Sequence, residues 1–333
     1  MTGAREDSPS TAVVSVIIVS WNAKEFLRGC LDSLAAHPGR RPLEVIVVDN
    51  ASADGSEALV VAAYPDVRLI RAGANLGFAR ANNLGMRASR GRWLLLVNSD
   101  AQVLPGCIDA LVDRLEADPA TGLAGPRITG ADGLLQRSCR GFPTLWNMAC
   151  RALGLDTLLG AWRPFSGYAL HWWAQEDTRD VDILTGCFWA LRRSAWAQVG
   201  GLDEAFFIYG EDMDWCRRFR DAGWRVTFLA SAHAIHFGGG SSRNAPVRFF
   251  LEKQRADLQY WRKHHGGWRA NAYLGLAMLH MALRVAGYSA RAGLRLGDLP
   301  GARLKIARSA ECLRLLLRLA RGGTAGAVLG EPS

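Results

Sequence analysis

The sequence predicts an α/β fold with a mostly parallel central sheet flanked by helices, and two observations carry this prediction. Short β-branched or apolar runs, such as 13–19, 43–48 and 93–97, alternate along the chain with segments of helical periodicity. Each of these runs is followed directly by polar residues, which is typical of sheets that present ligand-binding groups at the carboxyl ends of their strands. Strands that alternate with helices form parallel sheets covered on both faces.

Size and composition are those of a folded protein. The 333 residues suffice for one large domain or two, and the chain is 49% hydrophobic and 21% charged. Its seven cysteines form no CxxC pair, which argues against a disulfide framework or a zinc site and favours a reducing cytoplasm. Residues 1–12 are polar without an apolar signal core, and we expect a disordered tail there.

The remaining elements follow from periodicity and breakers. Asn22 is expected to cap a helix whose apolar face includes Leu27 and Leu31. Residues 122–179 are rich in Gly, Pro and Trp with weak periodicity, so we expect loops and short elements there. The other expected elements are strands 67–70, 181–184 and 225–229, helices 78–88, 193–199 and 211–222, a helix opened by Pro105, and a helical tail over 247–321.

The turn after the second strand has the sequence DNASADGS, beginning at Asp49. Asp49 can accept hydrogen bonds from a base N–H or a ribose hydroxyl at the carboxyl end of its strand. The alternative for Asp54 and Ser56 is that they cap the next helix. Capping and ligand binding are compatible in this turn.

Asp100 ends the segment LLLVNSD and is the candidate ligand for a hard cation such as Mg²⁺ or Mn²⁺, which would neutralise a diphosphate. The alternative is a simple turn residue. His236 precedes a glycine-rich loop and Arg243, which can hold phosphate oxygens. A histidine is more often structural, and glycines also serve plain turns, so both interpretations stay open here.

Glu211 and Asp212 stand where a helix is expected to begin, after the aromatic run 206–209. Acids at this position are often only partners of the helix dipole, which is the interpretation we give Asp214. For Glu211 and Asp212 we favour catalysis, because an ionised carboxylate can take a proton from an acceptor hydroxyl.

Five segments together carry a family resemblance: VIIVSWN, VDNASADGS, NLGFARANNLG, LLLVNSD and GEDMDWCRRFRDAGW. In these the chain resembles the family 2 glycosyltransferases of the GT-A fold, and it is most similar to the bacterial rhamnosyltransferase branch. The resemblance covers residues 13–265, expected as the catalytic domain, and leaves 266–333 as a basic, helical C-terminal region. It implies an inverting transfer by one in-line displacement, with a divalent cation as cofactor.

The resemblance also implies roles for individual residues. Asp212 would be the general base, with Glu211 supporting it or binding the acceptor, and Asp100 and His236 would hold the metal. The family's usual metal motif is Asp-any-Asp, and here Asn98 replaces the first Asp, which leaves one carboxylate. The residues expected to bind the nucleotide sugar are Ser20, Asn22, Asp49, Ser52, Asp54, Asn75, Gly77, Asn82, Asn98 and Arg243.

The formal net charge of +9 is concentrated in the tail. From Trp268 onward there are ten basic and three acidic residues, so this segment carries +7. An arginine- and leucine-rich tail favours a membrane surface over nucleic acid. The alternative is that its helices pack on the catalytic domain or on a second copy in a homo-oligomer. No segment is apolar enough over about 20 residues to predict a spanning helix, so we expect a cytoplasmic protein, peripheral on the inner face of the cell membrane.

The function expected from these residues and this resemblance is transfer of a sugar, L-rhamnose from dTDP-rhamnose, onto a glycan or polyprenyl-linked acceptor in cell-envelope polysaccharide synthesis. A UDP- or GDP-sugar donor is the alternative, and a non-catalytic membrane-binding module is the weaker one. A nucleotidyltransferase would carry a Gly- and Arg/Lys-rich loop after the first strand, and 20–26 has none. No GxGxxG follows that strand either, which argues against a NAD-linked dehydrogenase.

Overall fold

The computed structural model describes residues 14–238, 246–294 and 299–322, which form two compact units. The described residues of 14–139, 175–207 and 211–238 belong to the first unit, and those of 140–174, 208–210 and 246–322 belong to the second. The predicted tail 1–12, most of the glycine-rich loop and Arg243 lie outside the described residues.

The first unit is built on a large sheet. The strands of the chain are β1 (Val14–Ser20), β2 (Leu43–Asp49), β3 (Arg68–Arg71), β4 (Trp93–Asn98), β5 (Ala101–Val103), β6 (Thr121–Thr129), β7 (Leu135–Gln136), β8 (Cys139–Arg140), β9 (Arg179–Asp180), β10 (Ile183–Leu184), β11 (Phe188–Arg192) and β12 (Arg225–His236). The strand order of the large sheet is β3-β2-β1-β4-β11-β6-β12-β5. This confirms the α/β fold that the sequence predicts.

The register of the sheet brings strand ends together. β1 pairs in parallel with both β2 and β4, and it places Ser20 opposite Asp49 and Val19 opposite Asn98. β11 is antiparallel to β4 and β6, and β12 is parallel to β6. At the far edge β12 pairs antiparallel with β5, with His236 opposite Ala101. The carboxyl ends of β1, β2 and β4 therefore share one edge of the sheet.

Helices cover both faces of this sheet. In the first unit they are α1 (Lys24–Ala36), α2 (Ser56–Ala63), α3 (Gly77–Ala88), α4 (Cys107–Ala117), α7 (Arg193–Val199) and α8 (Glu211–Asp221). The apolar faces of α1 and α4 form one core cluster with Val16 and Ile18, and Ala81 of α3 packs with Ile46 and Val48 on the other face. Successive side chains of a strand therefore pack into the cores on opposite faces of the sheet, as expected for a pleated strand.

Several strands were not expected from the sequence, and the longest of them are β6 and β11. β6 lies where loops were predicted to begin, and β11 falls between a predicted strand and a predicted helix. Gly122 and Gly125 weaken the pattern of β6, yet a Cβ at Gly122 would meet the Trp224 Cβ at 2.8 Å and one at Gly125 would meet Leu184 at 3.1 Å. These glycines are therefore packing residues inside a buried strand rather than breakers.

The second unit is helical. Its helices are α5 (Leu145–Ala152), α6 (Leu155–Leu158), α9 (Pro246–Gly293) and α10 (Leu299–Ala320). α9 is interrupted at Gly266, which has φ 74°, and the rings of Trp261 and Tyr273 stack across this break with their centroids 5.0 Å apart. α10 packs along α9 and buries Leu315, Leu316 and Leu319. Within the described residues, no helix combines the length and the apolar character needed to cross a membrane.

Candidate active site

The carboxyl edge of β1, β2 and β4 presents polar side chains in the first unit. Asp49 is 5% exposed, and its Oδ2 accepts a hydrogen bond from the Ser52 amide at 3.1 Å. Its Oδ1 is buried without a hydrogen-bond partner among the described residues, as is the Ser20 hydroxyl on the neighbouring strand. A buried carboxylate oxygen without a donor is costly, so this arrangement indicates a ligand that brings one.

The turn 50–56 is held by its own side chains. The Asn22 Oδ1 accepts from the Ala53 amide at 2.7 Å, and the Asn22 amide donates to the Ser52 Oγ at 3.0 Å. The prediction that Asn22 caps α1 is wrong. The residue at the N-cap position is Ala23, which makes no side-chain capping hydrogen bond. The oxygen of Asn22 is engaged in joining the two turns that follow β1 and β2 instead.

Asp54 shows the capping alternative directly. Its Oδ2 accepts from the Lys24 amide at 2.7 Å, and its Oδ1 accepts from the Ser56 amide at 3.0 Å. Burial raises the pKa of Asp54, but the hydrogen bonds from Ser56 and Lys24 outweigh it and hold this pKa below its ordinary value. Asp54 therefore stabilises the starts of both α1 and α2, and its role toward a ligand stays a prediction.

The segment NLGFARANNLG opens α3 next to this edge. The Asn75 Oδ1 accepts from the Asn50 Nδ2 at 2.9 Å and from the Gly77 amide at 3.0 Å. Gly77 has φ 76°, and a Cβ there would meet the Phe207 carbonyl oxygen at 2.5 Å. The Asn82 Nδ2 donates within the helix to the Phe78 carbonyl at 2.9 Å. These residues position α3 against the chain at Phe207, four residues before α8 begins.

Asp100 and His236 are brought together by the pairing of β5 with β12. The Asp100 Oδ1 lies 3.2 Å from the His236 Nε2. Gln136 of β7 holds the same histidine twice: its Oε1 lies 3.0 Å from Nδ1, and its Nε2 donates to the His236 carbonyl at 2.6 Å. Sequence reasoning missed Gln136, because a two-residue strand carries no pattern.

The donor set at this pair fits a divalent cation. Ligand bonds of about 2.0–2.2 Å place neighbouring ligand atoms roughly 3 Å apart, which is close to the Asp100–His236 separation. Nowhere in the described ranges do three His, Cys, Asp or Glu side chains gather into a metal site. The protein therefore offers one carboxylate and one imidazole, and the remaining positions suit phosphate oxygens and water.

Glu211 and Asp212 begin α8, as expected, and both are buried. The Asp212 Oδ1 accepts from the Met213 amide at 2.8 Å, which orients the carboxylate. Asp214 differs, because it is fully buried and pairs with the Arg218 Nε at 2.8 Å. The guanidinium of Arg218 also donates to the carbonyls of Val199 and Gly201. Asp214 is thus part of an internal ion pair, in keeping with the structural role expected for it.

Cys187, just before β11, connects the two acidic centres. Its carbonyl accepts from the Asn98 amide at 3.0 Å. Burial, and then the charges of Asp100 and Asp212, raise the pKa of the Cys187 thiol to about 12. α8 is fixed to β11 by the edge-on contact of Trp189 with Trp215. In the sequence Cys187 is a single cysteine outside any motif, so no sequence pattern selects it.

Comparison with known proteins matches this chain to two families. The model of glycosyl transferase family 2 matches residues 15–200, and that of the N-terminal domain of galactosyltransferase matches residues 178–238. The chain is 33% identical over 272 residues to the N-acetylglucosaminyl-diphospho-decaprenol L-rhamnosyltransferase of Mycobacterium tuberculosis, which covers 78% of this chain and 87% of the relative. It is 38% identical over 80 residues to rhamnosyltransferase WbbL of Escherichia coli K12, over 24% of this chain and 30% of that one.

Two solved structures share the fold. The mannosyltransferase PcManGT from Pyrobaculum calidifontis, in complex with GDP-Man and Mn²⁺, has a TM-score of 0.56 at 20% identity, over 93% of this chain and 86% of that one. GalNAc-T7 with UDP, GalNAc and Mn²⁺ has a TM-score of 0.52 at 14% identity, over 76% and 50%. Both structures contain Mn²⁺ together with a nucleotide or nucleotide sugar.

Proposed function

This chain belongs to glycosyl transferase family 2, and we propose that within this family it transfers L-rhamnose to a polyprenyl-diphosphate-linked sugar in cell-envelope polysaccharide synthesis. It is a glycosyltransferase with the GT-A fold. The observation that carries the finer proposal is the 33% identity, over most of both chains, to a relative whose name specifies L-rhamnose and an N-acetylglucosaminyl-diphospho-decaprenol acceptor. The donor that we propose is dTDP-rhamnose.

Donor binding is assigned to the edge formed by β1, β2 and β4. The Oδ1 of Asp49, which has no partner among the described residues, can accept a hydrogen bond from a ligand at this edge. The Ser20 hydroxyl on the neighbouring strand can donate one. A base N–H or a ribose hydroxyl would satisfy the carboxylate oxygen. The rigid turn around Ser52 and Asn22 keeps these groups in place before a donor binds, which lowers the entropic cost of binding.

Asp100 and His236 would hold a divalent cation beside the donor's diphosphate. Such an ion, when bound, supplies Lewis-acid neutralisation of the charge that builds up on the leaving diphosphate. Gln136 contacts the Nδ1 and the carbonyl oxygen of His236 and so holds the imidazole with its Nε2 toward Asp100. Because Asn98 stands where the family's motif has an acid, the protein contributes one carboxylate, and we infer a weaker metal site than a two-acid motif would form.

Asp212 is assigned the role of general base, with Glu211 beside it. As the bond between the anomeric carbon and the diphosphate oxygen breaks, the acceptor's hydroxyl oxygen bonds to that carbon from the opposite side. The hydroxyl proton passes to the Asp212 carboxylate, and the nucleotide diphosphate leaves. The amide of Met213 keeps the carboxylate aimed during this step.

We further propose that the protein works at the inner face of the cytoplasmic membrane as a peripheral enzyme. The positive charge of the residues from Trp268 onward supports this, because anionic lipids attract such segments. A lipid-linked acceptor would also bring the enzyme to that surface.

The test is a panel of nucleotide sugars, each incubated with the purified chain and Mn²⁺, with release of nucleotide diphosphate and protection against thermal unfolding as readouts. We expect dTDP-rhamnose to protect the protein and to be turned over once a polyprenyl-diphosphate-linked N-acetylglucosamine is added. Selective protection by a UDP- or GDP-sugar would overturn the donor assignment and leave the family intact. We expect Asp100→Ala to lose this turnover, and Asp221→Asn, which changes an exposed acid at the end of α8, is the control for altered charge.

A further inference from the structure

The second unit contains a basic cavity of about 460 Å³ that lies outside everything described above. It is lined by the end of α5 and the turn after it, and by the half of α9 that follows Gly266. Three arginines converge on it, Arg151 from α5 with Arg284 and Arg291 from α9. Two leucines, Leu153 and Leu283, line it as well.

The charge of this cavity is not cancelled locally. Over the described part of the chain, none of its three arginines forms an ion pair; Arg284 donates to the Ser309 hydroxyl at 3.3 Å and lies over the Tyr288 ring. Burial lowers the pKa of His280, and Arg284 and Arg151 lower it further, against Asp156 from α6, which raises it. The arginines are thus the cationic groups of the cavity at neutral pH, and they are available to an anion.

The rim of the cavity is apolar and exposed. Leu153 is 58% exposed and Leu283 is 44% exposed, and Leu279 lies one turn before Leu283 on α9. Of the thirteen large apolar side chains exposed within the described residues, ten belong to this unit. A different face of the same helix is buried, with Tyr273 and Leu274 among its residues. The second half of α9 therefore has one apolar face for the core and another, next to the arginines, open to its surroundings.

We propose that this cavity binds the diphosphate head group of a polyprenyl-diphosphate lipid while the leucine rim lies in the lipid surface, an inference that rests on the proposed function. Guanidinium groups match phosphate oxygens with paired hydrogen bonds, and three of them suit the multiple charges of a diphosphate. An isoprenoid chain leaving that diphosphate would meet the leucines at the mouth. A soluble anion would leave this exposed apolar surface unexplained.

The experiment measures binding of the full chain to phosphatidylcholine vesicles that contain decaprenyl diphosphate, with decaprenol vesicles and free inorganic pyrophosphate as the comparison arms. We expect the wild type to prefer the diphosphate vesicles. An Arg284→Gln/Arg291→Gln double variant should bind them at least about tenfold more weakly, because each lost charge-assisted hydrogen bond costs roughly that factor. Arg151→Gln, on another helix, should act in the same direction.

The matched control is Arg262→Gln/Arg269→Gln, which removes the same two charges from exposed positions of α9 away from the cavity. Equal binding by the double variant and this control would overturn the site, and so would equal wild-type binding to the two kinds of vesicle. Binding of free pyrophosphate as tight as that of the vesicles would assign the cavity to a soluble diphosphate and overturn the lipid proposal. Protection of the wild-type chain by dTDP-rhamnose tests the proposed function separately.

Discussion

The Oδ1 of Asp100 lies 3.2 Å from the Nε2 of His236, and Gln136 contacts the same histidine at its Nδ1 and at its carbonyl oxygen. The His236 carbonyl can only accept, so it faces the amide nitrogen of Gln136. The carboxamide oxygen of Gln136 then faces Nδ1 and can accept a hydrogen bond from it. This arrangement directs the Nε2 of the imidazole toward Asp100, which suits the proposed role of the two residues as metal ligands.

Loss of this support should weaken metal binding. We expect Gln136→Ala to raise the Mn²⁺ concentration needed for half-maximal turnover about tenfold or more, and His236→Ala to raise it further. Titration of Mn²⁺ against nucleotide diphosphate release measures this. His233→Ala is the matched control, because His233 is an exposed histidine of the same strand. If His236→Ala and His233→Ala require the same Mn²⁺ concentration, the metal assignment is wrong.

The base assignment makes a different prediction. Asp212→Asn should lower kcat about a hundredfold or more, because the acceptor proton loses its destination, while donor binding stays near the wild-type level. Steady-state kinetics together with thermal protection by the donor separate these effects. Asp221→Asn, at the exposed end of the same helix, should leave kcat unchanged. Equal kcat values for the Asp212 variant and the wild type would contradict the role of Asp212.

Gly77 is expected to be required for stability. An alanine there combines a positive φ with a Cβ placed 2.5 Å from the Phe207 carbonyl oxygen, and should cost about 2 kcal/mol or more of unfolding free energy. Gly73 has a similar φ of 74° but open space around its Cβ position, so Gly73→Ala should cost only about 1 kcal/mol. Denaturant unfolding of both variants gives the comparison. Equal losses would mean that the contact with Phe207 contributes nothing.

The buried thiols should make the fold sensitive to alkali. The pKa values of Cys30 and Cys187 are raised from 9.0 to about 12, by burial first and then by Asp100. A thiol whose pKa is higher in the folded chain stabilises it fully below the unfolded value, and this contribution is lost as pH rises toward the folded value. The unfolding free energy should therefore decline between about pH 9 and about pH 12, less steeply in Cys187→Ala. Slow alkylation of the native protein, against rapid alkylation in denaturant, is the companion measurement.

The edge of the sheet could be predicted because its signals are local. β-branched runs that end in Ser20, Asp49 and Asn98 identify strands and their ends, and parallel pairing brings such ends together without further information. The family assignment from the same segments is confirmed. The start of α8 at Glu211 could be predicted for a similar reason, since a helix begins after a Gly and with acids in its first turn.

Other parts of the site depend on contacts between residues that are distant in sequence, and no local sequence pattern predicts them. Gln136 acts only because β7 and β12 bring it to His236, and a single glutamine in a loosely patterned region indicates nothing. β6 was obscured by Gly122 and Gly125, whose small size serves packing that only the folded chain shows. The alternatives for Asp54 stayed open because capping and ligand binding call for the same chemical type, an oxygen acceptor at a turn.

The register of β1, β2 and β4 separates two kinds of evolutionary change. The interiors of these strands, such as Ile17 and Val47, pack in the core, whereas Ser20, Asp49 and Asn98 stand at the ends of their strands, where Ser20 and Asp49 are buried as well. Under the proposed function, substitution at these strand ends can change which nucleotide is accepted while the apolar side chains of the strand interiors stay the same. In such a scaffold the donor specificity can change during evolution with little loss of fold stability, and one fold can therefore serve the synthesis of many glycans.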